Sequence, residues 1–110
     1  MEIEFSSNKL MKQLTTPLEI KKSYGTMAQK VNQRIQEMKN SPTLAVLQTI
    51  PAANCHPLKG DMSGEWAVDI SGNFRILFII NQSPIPKNKN NSIDTNSVTK
   101  IKITAVKDYH

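Results

Sequence analysis

Apolar and polar positions change period along the chain. Ile3 and Phe5 alternate with Glu2 and Glu4, the period of two that a strand with one wet face produces. Ser6-Ser7-Asn8 then offers a helix cap, and Leu10, Met11 and Leu14 fall on one helical face. Thr16 before Pro17 starts a second short helix, with Leu18 and Ile20 as its apolar residues and Tyr24-Gly25 as its end. From Thr26 the spacing predicts a longer amphipathic helix. Met27, Val31, Ile35 and Met38 make its apolar face, Lys30, Gln33, Arg34 and Glu37 occupy the rest, and it stops near Asn40 with Pro42 beyond. Methionines at this spacing read as core filler. Leu44 and Leu47 suggest one more helical turn over 43–48.

The second half of the chain reads as sheet. Residues 50–54 look like a loop, and Pro57 and Gly60 keep the next stretch irregular. Trp66, Val68 and Ile70 alternate with Ala67 and Asp69, Ser71-Gly72-Asn73 is a turn signal, and Phe74 to Ile80 is the apolar run of a central strand. Within that run Arg75 shares a side with Leu77 and Ile79, opposite Phe74, Ile76 and Phe78. Gln82 to Asn96 is polar and holds nothing expected to pack a core, so it is read as a long flexible hairpin loop, near 82–98. Ile101, Ile103 and Ala105 then alternate with Lys100, Lys102 and Thr104 in a last strand that leads to Lys107-Asp108-Tyr109-His110. A strand, helices and three further strands predict one small α+β domain over residues 1–110, its helices packed on a mostly antiparallel sheet.

A chain of 110 residues can bury a core without disulfides or metal. Cys55 is the single cysteine, which excludes an internal disulfide and suits a reducing compartment. There is no apolar run of membrane-spanning length, and Met1-Glu2-Ile3-Glu4-Phe5 lacks the pattern of a signal peptide, so a cytoplasmic protein without membrane partners is expected. The net charge of +5 leans mildly toward a polyanionic partner. Lysines supply most of it. Arg34 and Arg75 are the two arginines, and an arginine in a concave, structured place is the better phosphate holder.

The chemistry-bearing groups gather in two places, His56 with Lys59 in one loop and Asp108-Tyr109-His110 after the last strand, with Arg75 between them in the sequence. Cleaving RNA needs a base for the 2′-hydroxyl, cations on the phosphorane and an acid for the leaving 5′-oxygen, and these residue types supply all three without a metal or cofactor. Each also has a plain reading alone. His56 and Lys59 can be solvated loop residues, Arg75 can pair structurally with Asp69 or Asp61, and residues 108–110 can be a frayed tail. Only the combination favours catalysis. Cys55 beside His56 makes a poor nucleophilic pair, because adjacent residues of an extended segment point apart. Metal-ligand spacing, a phosphate-binding loop and a dinucleotide fingerprint are absent from the sequence.

His56-Pro57-Leu58-Lys59-Gly60-Asp61, Gly64-Glu65-Trp66 and Asn73-Phe74-Arg75-Ile76, closed by Asp108-Tyr109-His110, resemble the HigB toxins of the RelE/ParE superfamily of bacterial toxin–antitoxin systems. The resemblance implies a microbial-ribonuclease-like fold and a ribosome-dependent mRNA endonuclease that cuts in the A site and arrests translation. It implies a cognate helix-turn-helix antitoxin of the HigA kind, the pair acting together on operator DNA. By the same resemblance His56 is the loop histidine, Lys59 the transition-state lysine, Arg75 the strand arginine, and Asp108, Tyr109 and His110 the C-terminal catalytic group. The chain departs from many relatives at Met62 and Asp69, where they carry basic residues. Two other readings stand beside this one: a non-catalytic ParE-like toxin acting on DNA gyrase, and a non-toxic basic RNA-binding module, which would show stacking aromatics on its sheet surface.

Overall fold

The computed structural model describes residues 1–108; Tyr109 and His110 lie outside the described residues. Strand β1 (Glu2–Phe5) leads into α1 (Asn8–Thr15), α2 (Pro17–Tyr24), α3 (Ala28–Asn40) and the single turn α4 (Leu44–Leu47). Strands β2 (His56–Pro57), β3 (Glu65–Ser71), β4 (Phe74–Ile80) and β5 (Lys100–Asp108) follow. Two helix starts are capped as the sequence suggests, the side chains of Ser7 and Thr16 accepting from the backbone N–H of Leu10 and Glu19, and Thr43 caps α4 in the same way through Val46.

The five strands form one sheet in the order β1-β5-β4-β3-β2. The β2, β3, β4 and β5 neighbours are antiparallel, whereas β1 runs parallel to β5, with Glu2 to Phe5 against Lys100 to Ile103. The sheet is therefore mixed, mostly antiparallel as expected. One strand was not expected. The two residues of β2 pair with Ala67 and Trp66, where Pro57 suggests irregular chain; an edge position accommodates the proline because no ladder needs its missing N–H.

One face of the sheet carries the core. Cross-strand pairs Trp66–Phe78, Val68–Ile76, Phe78–Ile103 and Ile80–Ile101 are buried with Leu10, Leu14, Ile20, Val31, Ile35 and Met38 from the helices. The Trp66 and Phe78 rings are near-parallel at 6.4 Å, and Tyr24 meets Phe74 edge-on at 6.3 Å. Three helical assignments need correction. Met11 and Leu18 stand 45% and 74% exposed instead of joining the apolar face. Arg34, placed by residue type on the polar side of α3, is 6% exposed. Its position explains this, because Val31, Arg34, Ile35 and Met38 are the successive steps of a single helical stripe.

The polar segment between β4 and β5 is hydrogen-bonded within itself. Lys87 bridges Ile93, the Asn88 N–H donates to the Ser92 carbonyl, and Asp94 caps a 3-10 turn over Thr95–Ser97. Contrary to the expectation that nothing in it packs, Ile93 lies half-buried against the core. Among the described residues no helix is long and apolar enough to cross a membrane.

Candidate functional site

The second face of the sheet is set by register. Paired residues in a sheet project to the same side, and alternate residues of a strand share it. Asp69 pairs with Arg75, Arg75 with Lys107, Ala67 with Leu77, Leu77 with Ala105, and Ile79 with Glu65 and Lys102. His56 pairs with Ala67, so it joins the same face. A small buried centre, Ala67 and Leu77, is thus ringed by His56, Glu65, Asp69, Arg75, Lys102 and Lys107. The basic side chains outnumber the acidic ones here, and a glycine-bearing loop borders the face.

Arg75 is partly buried and ion-paired with Asp69, its Nε 3.3 Å from Asp69 Oδ1 without hydrogen-bond alignment. The other carboxylate oxygen of Asp69 accepts from Asn54 Nδ2 at 2.9 Å. Asn54 also offers its carbonyl to His56 Nδ1 at 2.6 Å. A carbonyl only accepts, so Nδ1 carries the hydrogen of this contact and Nε2 is the ring nitrogen left outside it. His56, Asn54, Asp69 and Arg75 form one connected chain of polar contacts. Asn54 can make both contacts because it adopts the left-handed conformation, φ 44° and ψ 49°, at the end of the 3-10 turn Pro51–Ala53. Asparagine is one of the few residue types that tolerates this region.

The other candidates separate. Lys59 is exposed at the start of the 3-10 turn Gly60–Met62, outside the paired strands. Asp108 is exposed at the end of β5 and pairs with Phe74, so it alternates with Lys107 and falls on the side opposite the Arg75 register position. A bulge between Leu77 and Phe78 against β5 shifts this phase. Tyr109 and His110 lie outside the described residues. Cys55, buried beside His56, has its thiol pushed up to about 12 by burial, which removes it as a nucleophile. Trp66 and Phe78 belong to the core and not to the second face, so the sheet offers no such aromatics for base stacking among the described residues.

Sequence reasoning did not find Asn54 or Arg34. Asn54 sits in a stretch readable only as loop. Its one signal is a residue type that accepts positive φ just after Pro51-Ala52-Ala53.

No family model and no curated protein sequence matches the chain. Solved structures do. A YoeB/ParE toxin from Agrobacterium tumefaciens superposes with a TM-score of 0.54 at 17% identity, covering 100% of both chains. A YafQ mutant from E. coli gives 0.54 at 12% identity, over 97% of this chain and 91% of its own. YoeB in a YoeB–YefM complex from Staphylococcus aureus gives 0.53 at 15% identity, over 100% and 97%. The chain shares their fold. This α+β arrangement, helices on one face of a five-stranded mixed sheet, is the microbial-ribonuclease-like fold of these toxins. At these identities the YoeB and YafQ structures speak for architecture, and the chemistry has to be argued from the side chains.

Proposed function

We propose that this chain is the toxin of a type II toxin–antitoxin module and an endoribonuclease that cuts mRNA on the ribosome, within the RelE/ParE superfamily and resembling HigB in its motifs. The observation that carries the reading is the connection of His56 and Arg75 on one sheet face through Asn54 and Asp69, in a fold shared with YoeB/ParE and YafQ structures.

The reaction divides among the residues as follows. A base takes the 2′-hydroxyl proton, the 2′-oxygen forms a bond to phosphorus, and the bond from phosphorus to the 5′-oxygen breaks as an acid protonates it. Arg75 and Lys59 hold the charge on the phosphorane. His110 transfers protons, Asp108, whose register position lies on the opposite side, supports it from the end of β5, His56 presents Nε2 from β2, and Tyr109 orients a base. Proton transfer and charge stabilisation both come from side chains, so the reading requires no metal or cofactor.

The partners in this reading are mRNA in the ribosomal A site, a helix-turn-helix antitoxin, and operator DNA bound by the toxin–antitoxin pair. The YoeB–YefM complex lends support to an antitoxin partner, since a protein of this fold is held by one there. The cytoplasm is the expected place of action. A gyrase-binding toxin of the ParE kind is the second reading. The His56–Asn54–Asp69–Arg75 connection favours the nuclease, because a pure binder has no need to orient an imidazole on the face that carries a guanidinium.

The deciding experiment is cleavage of a translated mRNA in a purified translation system, with and without ribosomes, beside His110→Ala. Ribosome-dependent cuts that vanish in the variant are expected. A folded protein that cuts nothing in either condition overturns the nuclease reading, and gyrase inhibition is then measured.

A further inference from the structure

Arg34 is the anomaly of the helical layer. A charged side chain on the buried stripe of α3 costs several kcal/mol of desolvation unless its hydrogens are used, and a methionine or leucine would fill the same space. Arg34 uses its hydrogens in three directions. Its Nε donates to the Asp69 carbonyl at 2.6 Å, one terminal nitrogen donates to the Ala52 carbonyl at 3.1 Å, and the other bridges Glu37 Oε1 at 3.2 Å. The three contacts reach β3, the 51–54 turn and Arg34's own helix.

Two of these acceptors belong to the segments that build the candidate site. Ala52 lies two residues before Asn54, the residue that holds His56 and Asp69. Asp69 carries the carboxylate that faces Arg75. Strand β2 pairs only with Ala67 and Trp66, so its ladder stops short of both Asp69 and the 51–54 turn. The planar guanidinium spans that gap in a fixed fork, from the far side of the sheet. A lysine has one nitrogen and cannot hold both carbonyls and Glu37 in the same geometry.

We infer that Arg34 is a positioning residue: it fixes the distance between the His56 loop and the Asp69–Arg75 pair, without touching substrate. The inference rests on the functional reading above for what the site does, but not for the geometry itself.

The test uses Arg34→Met and Arg34→Lys in the full chain. Thermal unfolding reports folding, and the His56 ring and Arg75 Nε–H resonances report geometry. Turnover and KM on ribosomes programmed with mRNA report chemistry. A folded Arg34→Met protein is expected to shift the His56 and Arg75 resonances. It is also expected to lose about ten- to a hundredfold in kcat with KM within about twofold, as when groups that act in the transition state are displaced. Arg34→Lys recovers part of the loss. A folded Arg34→Met protein with unchanged resonances and unchanged kcat overturns the inference. If both variants fail to fold, hydrogen exchange at Arg34 Nε–H in the wild-type protein decides. Exchange at least about tenfold slower than in unprotected arginine is expected for a hydrogen held on Asp69, and exchange at the unprotected rate overturns the proposal. A wild-type protein that cleaves no RNA sinks the nuclease reading alone, since the His56 and Arg75 resonances still answer for Arg34.

Discussion

Asp69 and Arg75 face each other across the β3–β4 hairpin, register partners with Asp69 Oδ1 3.3 Å from Arg75 Nε. The arginine offered by the sequence as a phosphate ligand is therefore engaged by an internal anion. A phosphate brought to this face competes with that carboxylate for the guanidinium. Replacing Asp69 by Asn should tighten binding of a short oligoribonucleotide and steepen its dependence on salt, because one negative charge leaves the face. The two side chains are 33% and 26% exposed and their 3.3 Å contact lacks hydrogen-bond geometry, so the pair contributes only about 0–1 kcal/mol and the variant should unfold at nearly the same denaturant concentration as the parent. Binding measured at two salt concentrations checks this; weaker binding by Asp69→Asn would show that the pair organises the site more than it blocks it.

Arg75→Ala should abolish mRNA cleavage while leaving the protein folded and able to bind its antitoxin. The side chain stands on the sheet face away from the core, so its removal opens no cavity. Cleavage and antitoxin co-purification, measured on one preparation, separate loss of chemistry from loss of fold.

Asn54 should respond to substitution in an ordered way. Its backbone is left-handed, and its side chain reaches Asp69. Asn54→Gly keeps the backbone and loses the amide, whereas Asn54→Ala loses the amide and adds strain of about 1 kcal/mol. Chemical denaturation should therefore rank the parent first, glycine second and alanine last.

Cys55 supplies a pH-dependent prediction. Its folded thiol ionises at about 12, above an ordinary cysteine at about 8.5. An acid raised by folding contributes stability that is complete below its unfolded pKa and is lost as pH rises through the folded value. Stability should fall from about pH 8.5 toward 12 more steeply in the parent than in Cys55→Ala. At pH 8 iodoacetamide should label the folded protein slowly and the unfolded protein quickly.

Ile35 and Leu18 test the helical layer from opposite sides. Ile35 is buried in the core, and Ile35→Ala should cost about 2–5 kcal/mol, with Ile35→Asp preventing folding. Leu18 is exposed, and Leu18→Gln should stay within about 0.5 kcal/mol of the parent in a denaturant titration.

The contrast between these two leucine and isoleucine positions shows where sequence patterns are informative. The α3 stripe was legible because Val31, Ile35 and Met38 repeat over several turns. Its fourth member, Arg34, occupies the right step but the wrong residue class, and only the acceptors at Ala52 and Asp69 make its burial tolerable. Leu18 sits in the first turn of an eight-residue helix, where too few repeats exist to define a face. At the candidate site, period-two alternation correctly put Arg75 with Leu77 and Ile79. The link to His56 was invisible, because a two-residue strand and a left-handed asparagine leave no periodic trace. The side taken by Asp108 was equally hidden, since one bulge at Leu77–Phe78 inverts the alternation beyond it.

The parallel pairing of β1 with β5 joins Glu2–Phe5 to Lys100–Ile103, stretches almost a whole chain apart. Closing so long a loop is slow, and no local contact can substitute for it. During synthesis the first strand must wait, with both edges unpaired, until Lys100–Ile103 has left the ribosome. A nascent chain arrested before Lys100 should therefore remain open to protease at β1, and protection there should appear only once the last strand emerges. Maturation of the sheet is thereby tied to synthesis of β5, so products truncated before Lys100 would lack the ordered face on which Arg75 stands.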